Sequence, residues 1–299
     1  MSVVIVNPSS AGGSTGAAWP QIASDLRSQY GAFRAVFTKH RGDAATLASE
    51  AARKGAKLII ACGGDGTISE VANGILSSGK DAELGVLPSG TGGDFRRTLE
   101  IPSRTRDAAR ILRVGRTVRI DVGRVSYVDH NGSEATRYFV GVASCGMSTR
   151  VIERVKSDGI SFANALLKTA MHNEPVRLVI QLDDSHERHL VVSNLCIANA
   201  RYFGGGMKIA PEAKLTDGKF DVIGVGDLSA VKIFTSAPRV YTGSHLSMDE
   251  VSHALARKIS VRRADRAAGV ALEVDGELPG SLPATFQIIP EALRVRVNN

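Results

Sequence analysis

Long hydrophobic runs are missing from this chain. No stretch approaches the ~20 continuous apolar residues of a membrane-spanning helix, so none is predicted. Cysteine is scarce: Cys62, Cys145 and Cys196 lie far apart, in apolar surroundings and without zinc-ligand spacing. A disulfide framework and a cysteine-held metal are therefore not expected, and buried thiols in a reducing compartment are. The start, Met1-Ser2-Val3-Val4-Ile5-Val6, lacks the basic region and cleavage site of a secretory leader, which predicts a cytoplasmic protein. Aromatic residues make up only 5% of the chain, and no stretch interleaves them with basic ones, which argues against a nucleic-acid binder. The net charge of +7 is dispersed and suits a polyanionic ligand or an anionic membrane surface.

What is present has the composition of a globular protein, with 43% apolar residues in 299. The first part alternates short apolar runs with helical stretches. Strands are predicted at Val3–Val6, Ala35–Phe37, Leu58–Cys62 and Leu84–Leu87, and helices at Trp19–Tyr30, Ala44–Lys54 and Ile68–Leu76. This rhythm implies a mostly parallel, doubly wound sheet with helices on both faces. The rhythm changes near residue 120. Alternating runs at Val118–Val125, Arg137–Ala143, Val176–Leu182, Val191–Ala198, Phe220–Val225, Ile259–Val261, Val270–Val274, Thr285–Ile289 and Leu293–Val297 predict an antiparallel, β-rich second domain. Helices interrupt it near Met147–Lys156, Phe162–Met171 and Ala230–Tyr241. The expected domains are 1–125 and 126–299, with the last strand free to return toward the first.

The sharpest chemical signal is a strand that runs into Gly63-Gly64-Asp65-Gly66-Thr67 and then into a helix. Glycine permits tight turns and close ligand approach, and a helix start offers N–H groups to anionic oxygens. A carboxylate repels phosphate, so Asp65 in such a loop points to a bound Mg²⁺ or a ligand hydroxyl. The loop lacks the lysine and spacing of a P-loop and is not Gly-x-Gly-x-x-Gly, which disfavours a Walker-type ATPase and a Rossmann dehydrogenase. Leu87–Phe95 repeats the theme, with Gly90, Gly92, Gly93 and Asp94 after a strand. Asn7–Gly13 would leave the same sheet edge, where ligands of parallel sheets bind. Asp121 ends a later strand, and Asp275 and Glu277 flank Gly276 in what is equally a hairpin turn. Phosphoryl transfer to a hydroxyl needs a base and metal carboxylates, which these acids could supply.

Together these motifs resemble the diacylglycerol kinase catalytic family of soluble lipid kinases, which includes YegS-like, sphingosine and ceramide kinases. The matching blocks run in order across nearly the whole chain: Asn7-Pro8, Gly63–Thr67 with Glu70, Asn73 and Gly74, Pro88–Phe95, Asp121–Gly123, Leu215–Asp221, Gly243–His245 and Asp275–Glu277. The resemblance implies an N-terminal nucleotide domain like that of NAD kinase and phosphofructokinase, a C-terminal β-sandwich-like lipid domain, and catalysis in the cleft between them. It implies ATP contacts at Asn7, Pro8, Ser9, Thr38, Gly63, Gly64, Asp65, Gly66, Thr67, Ile68, Ser69, Thr91 and Gly92. It implies that Asp65, Asp94 and Asp121 form an acidic network organising Mg²⁺, and that Asp275 and Glu277 flank the acceptor hydroxyl, with Glu277 the proton acceptor. A second, structural Mg²⁺ would sit on Asp217 and the carbonyls of Lys214 and Lys219.

One position departs from the family pattern: Gly93 stands where an asparagine is usual, and glycine offers only backbone hydrogen bonds. The reading is therefore an ATP-dependent lipid kinase acting on an acceptor such as diacylglycerol. Such an enzyme would contact the inner face of the membrane transiently, and Ile160–Met171 with Lys156 and Lys168 is a candidate surface helix. A homodimer is compatible with it. NAD kinase shares the Gly-Gly-Asp-Gly loop, and a catalytically weak nucleotide or lipid sensor would share the fold.

Overall fold

The structure, a computed structural model, describes residues 2–90, 92–159, 162–172, 174–265 and 269–299. Two compact units divide the chain: residues 1–122 with 290–299, and residues 123–289.

In the first unit, β1 (Ser2–Val6), α1 (Ser14–Gln29), β2 (Arg34–Phe37), α2 (Asp43–Arg53), β3 (Leu58–Gly63), α3 (Asp65–Ser78) and β4 (Glu83–Pro88) follow one another. The short α4 (Asp94–Thr98) and α5 (Thr105–Val114) come next. The strands are parallel, in the order β2-β1-β3-β4, and Arg294 and Val295 add alongside Glu83 and Leu84 of β4. β3 and β4 are buried along their whole length, as expected of parallel strands covered on both faces. α1 packs against α5 and α2 against α3. The small buried face of α2 (Ala44, Ala48, Ala51, Ala52) lets α3 come close. The winding direction reverses between β1 and β3, which makes the carboxyl ends of these two strands the crevice where such sheets bind ligands.

α1 begins at Ser14, five residues before the predicted start at Trp19. Tertiary contacts hold the extra turn: the Thr15 hydroxyl donates to the Ser89 carbonyl at 2.6 Å. The sequence pattern gave no helix at Thr105–Val114, yet α5 buries Ala108, Ala109, Ile111 and Leu112 on one face.

The second unit takes up the remainder of β5 (Arg116–Asp129), then β6 (Glu134–Phe139), β7 (Val142–Gly146), α6 (Met147–Asp158), α7 (Phe162–Ala170), β8 (Val176–Leu182), β9 (Arg188–Val192) and β10 (Asn194–Ala198). After these come β11 (Phe220–Val225), α8 (Ala230–Thr242), β12 (Val251–Ala256), β13 (Lys258–Arg263), β14 (Ala271–Val274) and β15 (Glu277–Val297), whose end supplies residues 290–297 to the first unit. One antiparallel run is β12-β11-β10-β7-β14-β15; another joins β9, β8, β13 and the middle of β15. Their facing side chains form the core, in which Phe139 stacks on Phe220 at 5.5 Å and meets Phe286 edge-on at 6.3 Å. The α/β N-terminal and antiparallel C-terminal architecture is that expected from the sequence.

Two predicted strands are each broken in two, for stated reasons. Arg137–Ala143 is interrupted at Val140 and Gly141, whose N–H groups bond to the Asp275 carboxylate instead of a neighbouring strand. Val191–Ala198 is interrupted at Ser193, whose N–H donates to Val225 and whose carbonyl accepts from Met147. β12, with exposed Ser252 and His253, was not foreseen.

Candidate functional site

The site in the first unit is built where β1, β3 and β4 end. After β1, the Asn7 N–H donates to the Cys62 carbonyl at 3.0 Å, which ties this loop to the end of β3. The Asn7 amide donates to Thr67 Oγ1 at 3.0 Å and accepts from the Ser9 N–H at 3.1 Å. Ser10 Oγ lies 2.9 Å from the Asn7 carbonyl and 3.0 Å from the Ser89 carbonyl, and its one proton can serve either. Three loops therefore meet, two of them through Asn7 and Thr67, which the sequence singled out, and the third through Ser10 and Ser89, which it did not. The Pro8 carbonyl accepts from Gly16 N–H of α1 at 3.1 Å.

The two glycine loops touch backbone to backbone. A Cβ on Gly90 would lie 2.5 Å from Gly64 Cα, so no other residue fits there without displacing the neighbouring loop. α3 starts at Asp65, directly after Gly64, and the first N–H groups of a helix lack intrahelical partners. Thr67 and Ser69 are buried in that first turn, beside Ile68.

Asp65 is the clamp between the loops. One carboxylate oxygen accepts from Asp94 N–H at 3.1 Å and the other from Phe95 N–H at 3.0 Å, which caps the start of α4. Gly92 passes close to it, since a Cβ there would sit 2.7 Å from Asp65 Oδ2. Asp94 pairs with Arg97 at 3.0 Å, and Arg97 also donates to the Gly92 carbonyl. Gly93 has φ +68°, in the left-handed region that glycine and asparagine both adopt. A Cβ at this position would lie 2.6 Å from Arg96 Nε, so an asparagine side chain here would displace that of Arg96.

The remaining predicted residues of this unit stand apart from the clamp. Thr38 lies at the end of β2, where its N–H donates to the Val6 carbonyl at 2.9 Å. Asp121 is buried and accepts from Glu291 N–H at 2.9 Å, which fastens the returning C-terminal segment. Thr91 lies outside the described residues. Among the described residues, no three acidic, histidine or cysteine side chains form a set able to hold a metal ion. The expected acidic network is thus not a closed cage. Mg²⁺ commonly takes one or two carboxylates and completes its shell with phosphate oxygens and water, and each oxygen of a carboxylate can accept twice. Asp65 and Asp94 fit that chemistry.

In the second unit, Asp275 repeats the Asp65 arrangement. Its oxygens accept from Gly141 N–H at 2.9 Å and Val140 N–H at 3.1 Å, at a residue with φ +49°. Glu277 instead forms an ion pair with Lys156 of α6 at 3.0 Å. Between them, Gly276 N–H donates to Glu273 Oε1 at 2.6 Å.

Glu273 is the residue that sequence reading missed. It is buried; its second oxygen accepts from the Ser144 hydroxyl, which is 2.7 Å from the Ser148 hydroxyl. Burial pushes its carboxyl up to about 7, against the opposing pull of the bonds from Ser144 and Gly276. The signal was available: a lone acid in Ala271-Leu272-Glu273-Val274, a strand with three of four residues buried.

Asp217 is exposed and accepts from Lys219 N–H at 3.1 Å, which makes a local turn, and Lys214 is exposed nearby in sequence.

The second unit also contains a cavity of about 100 Å³ with an almost wholly apolar wall. Met147 and Val151 of α6, Leu166 of α7, Ile233, Ala237 and Val240 of α8 line it, with Ser148, Asn194, Ser236 and His245 as its polar residues. His245 donates from Nε2 to the Ile209 carbonyl at 2.9 Å, and burial holds its ring below the ordinary histidine value.

Comparison with known proteins accords with this geometry. Residues 1–125 match the family model for the diacylglycerol kinase catalytic domain, and residues 141–297 match that for the YegS C-terminal NAD kinase beta sandwich-like domain. A diacylglycerol kinase of Mycobacterium tuberculosis is 31% identical over 278 residues, covering 86% of each chain. One from Staphylococcus epidermidis is 31% identical over 268 residues, covering 87% of this chain and 80% of that one. Among solved structures, a diacylglycerol kinase from Bacillus anthracis str. Sterne superposes with a TM-score of 0.73 at 21% identity over 99% of this chain and 96% of that one.

Proposed function

The chain belongs to the diacylglycerol kinase catalytic family and is a lipid kinase, and from that premise we propose that it transfers the γ-phosphoryl group of ATP to a hydroxyl of a membrane lipid. Diacylglycerol is the first acceptor to test, because the relatives carry that name. The observation that carries the reading is the Asp65 clamp, which sets the start of α3 and the Gly90–Asp94 loop side by side at the reversal point of a parallel sheet.

In this reading Asn7, Pro8, Ser9 and Thr38 border the nucleotide, and the loop and first turn at Gly63–Ser69, with Thr91 and Gly92, offer N–H groups and hydroxyls to its phosphates. Asp65, Asp94 and Asp121 are assigned to Mg²⁺, which when bound neutralises charge on the transferring group. Glu277 takes the proton of the acceptor hydroxyl, and Lys156 orients its carboxylate. Asp275 shapes the same turn through Val140 and Gly141. Asp217, with the carbonyls of Lys214 and Lys219, is assigned a second Mg²⁺. Such transition states are loose, so positioning and charge neutralisation matter more than base strength. The apolar cavity of the second unit supports a lipid acceptor, since NAD or a sugar would present polar groups to its walls.

The test is incubation of the protein with labelled ATP, Mg²⁺ and either a total lipid extract or NAD. Label in a lipid is expected. Label in NAD alone, or ATP consumption that no lipid stimulates, would overturn the proposal.

A further inference from the structure

α8 carries one broad apolar face, of which only part is covered. Ile233, Ala237 and Val240 point into the cavity, and Ile233 also packs with Ala170 and Leu228. Beside them on the helix Val231, Phe234 and Tyr241 are 73%, 64% and 48% exposed, and Pro238 between them is exposed too. Their spacing of three, four and three residues aligns them along one stripe of the helix. Scattered exposed apolar residues need no explanation; a stripe that continues the face lining an apolar cavity does. An amphipathic helix buries its apolar face in its working state, and here only half of that face is covered.

We propose that the exposed apolar stripe of α8 docks on a lipid bilayer, so that α8 borders both the membrane surface and the apolar cavity of the second unit. This rests on the lipid-kinase reading above, but the docking surface itself is carried by the exposure pattern. Three observations favour a bilayer over a protein partner. The stripe adjoins the face that lines the cavity assigned to the lipid, so docking brings the lipid source to a helix that borders both. Its flanks are polar and basic: Arg239 and Thr242 are exposed on α8, and Lys168 is exposed on α7, which packs against α8. Met171, next in sequence to the Ala170 that packs on α8, is 61% exposed and extends the apolar surface. An amphipathic helix lying in the membrane interface has this pattern of aromatic and aliphatic residues on one face and basic residues beside it. Lys232 is already paired with Glu250, so Arg239 and Lys168 carry the contribution that depends on anionic headgroups.

The sequence placed such a surface at 160–171. Ile160 lies outside the described residues, as do the side chains of Phe162 and Leu167, and Leu166 of that helix faces the cavity. The exposed stripe among the described residues is on α8.

The experiment is co-sedimentation with vesicles of phosphatidylcholine alone and of equimolar phosphatidylcholine and phosphatidylglycerol. Phe234→Glu is expected to weaken partition roughly tenfold to a hundredfold, from the loss of one buried phenyl group. Val231→Ser with Tyr241→Ser should act in the same direction without adding charge. Phe234→Leu should restore most of the binding. Each side chain is exposed, so melting temperatures should match the parent. In the kinase assay these variants should lose activity on lipid in vesicles and keep it on a short-chain, water-soluble acceptor. Unchanged partition of both variants would overturn the proposal, as would loss of a dimer by Phe234→Glu with vesicle binding intact. If the parent protein binds vesicles through α8 but phosphorylates no lipid in either form, the kinase reading fails and the docking surface stands.

Discussion

Glu273→Gln should make the protein more stable at pH 8 and leave it unchanged at pH 4. The Glu273 carboxyl is pushed up to about 7 from its ordinary 4.5, first by burial and against the bonds from Ser144 and Gly276. A folded-state value above the unfolded one means that this group's contribution is fully present below pH 4.5 and is lost as pH rises through 7. Between those limits the folded protein holds a proton that the unfolded chain has released. Stability then falls with rising pH by about 1.4 kcal/mol per pH unit for this group. The span of about 2.5 pH units corresponds to a total of about 3 kcal/mol. Glutamine reproduces the protonated acid: its carbonyl oxygen accepts from Gly276 N–H, and its amide donates to the Ser144 hydroxyl, which bonds on to Ser148. Urea unfolding of both proteins from pH 4.5 to 8.5 measures the effect. The two stability curves should diverge by up to about 3 kcal/mol, nearly all of it below pH 7.5. Parallel curves would refute the assignment of a buried, titrating acid at this position.

Further outcomes are expected elsewhere. Arg296→Ala should cost about 3 kcal/mol of stability in denaturant titration, because Glu83 is left buried without its two bonds from Arg296 at 2.7 and 2.9 Å. Burial pushes the Glu83 carboxyl up, but Arg296 and Thr117 outweigh that and hold it below its ordinary value. The pair's contribution is therefore present above about pH 4.5 and is lost as pH falls through the lowered value. Gly74→Ala should destabilise by at least about 2 kcal/mol, read as a lower urea midpoint, because its Cβ would lie 2.2 Å from the Ala45 carbonyl oxygen. Asp65→Ala should lower turnover by orders of magnitude and, by leaving two N–H groups of α4 unpaired, cost about 1–3 kcal/mol of stability. Turnover near that of the parent would remove Asp65 from the site.

The architecture was legible because its signals are local. Buried parallel strands read as continuous apolar runs, as in Leu58–Cys62, and antiparallel strands as alternation, as in Thr285–Ile289. The glycine loops were legible for the same reason. What was not legible depends on distant partners. Nothing near Val140 and Gly141 announces that Asp275 will take their N–H groups, so a strand break there could not be read. α1 starts early because Thr15 meets Ser89, 74 residues away. Glu273 was passed over because an acid in a strand suggests an outward face. Here the Ser144 and Ser148 hydroxyls and the Gly276 N–H make an inward one tolerable. The outer stripe of α8 went unnoticed because it continues the cavity-lining face, and one broad apolar face on a helix reads as core.

Asp65 and Asp275 share a geometry that bears on how any loss of activity is interpreted. Each carboxylate binds two consecutive backbone N–H groups, 94 and 95 in one unit and 140 and 141 in the other. An asparagine at either position can satisfy only one of the pair, and its amide NH₂ would face the other N–H, donor against donor. Asp→Asn is therefore no conservative change here, and a dead variant would not separate chemistry from loop geometry. Glu277 differs, since its ion pair is made to a flexible lysine rather than to fixed backbone. A glutamine there can still accept from Lys156. Glu277→Gln should lower turnover with the melting temperature held, whereas Asp65→Asn and Asp275→Asn should lower both. If all three variants lose stability alike, Glu277 is a structural acid and the proton acceptor must be sought elsewhere.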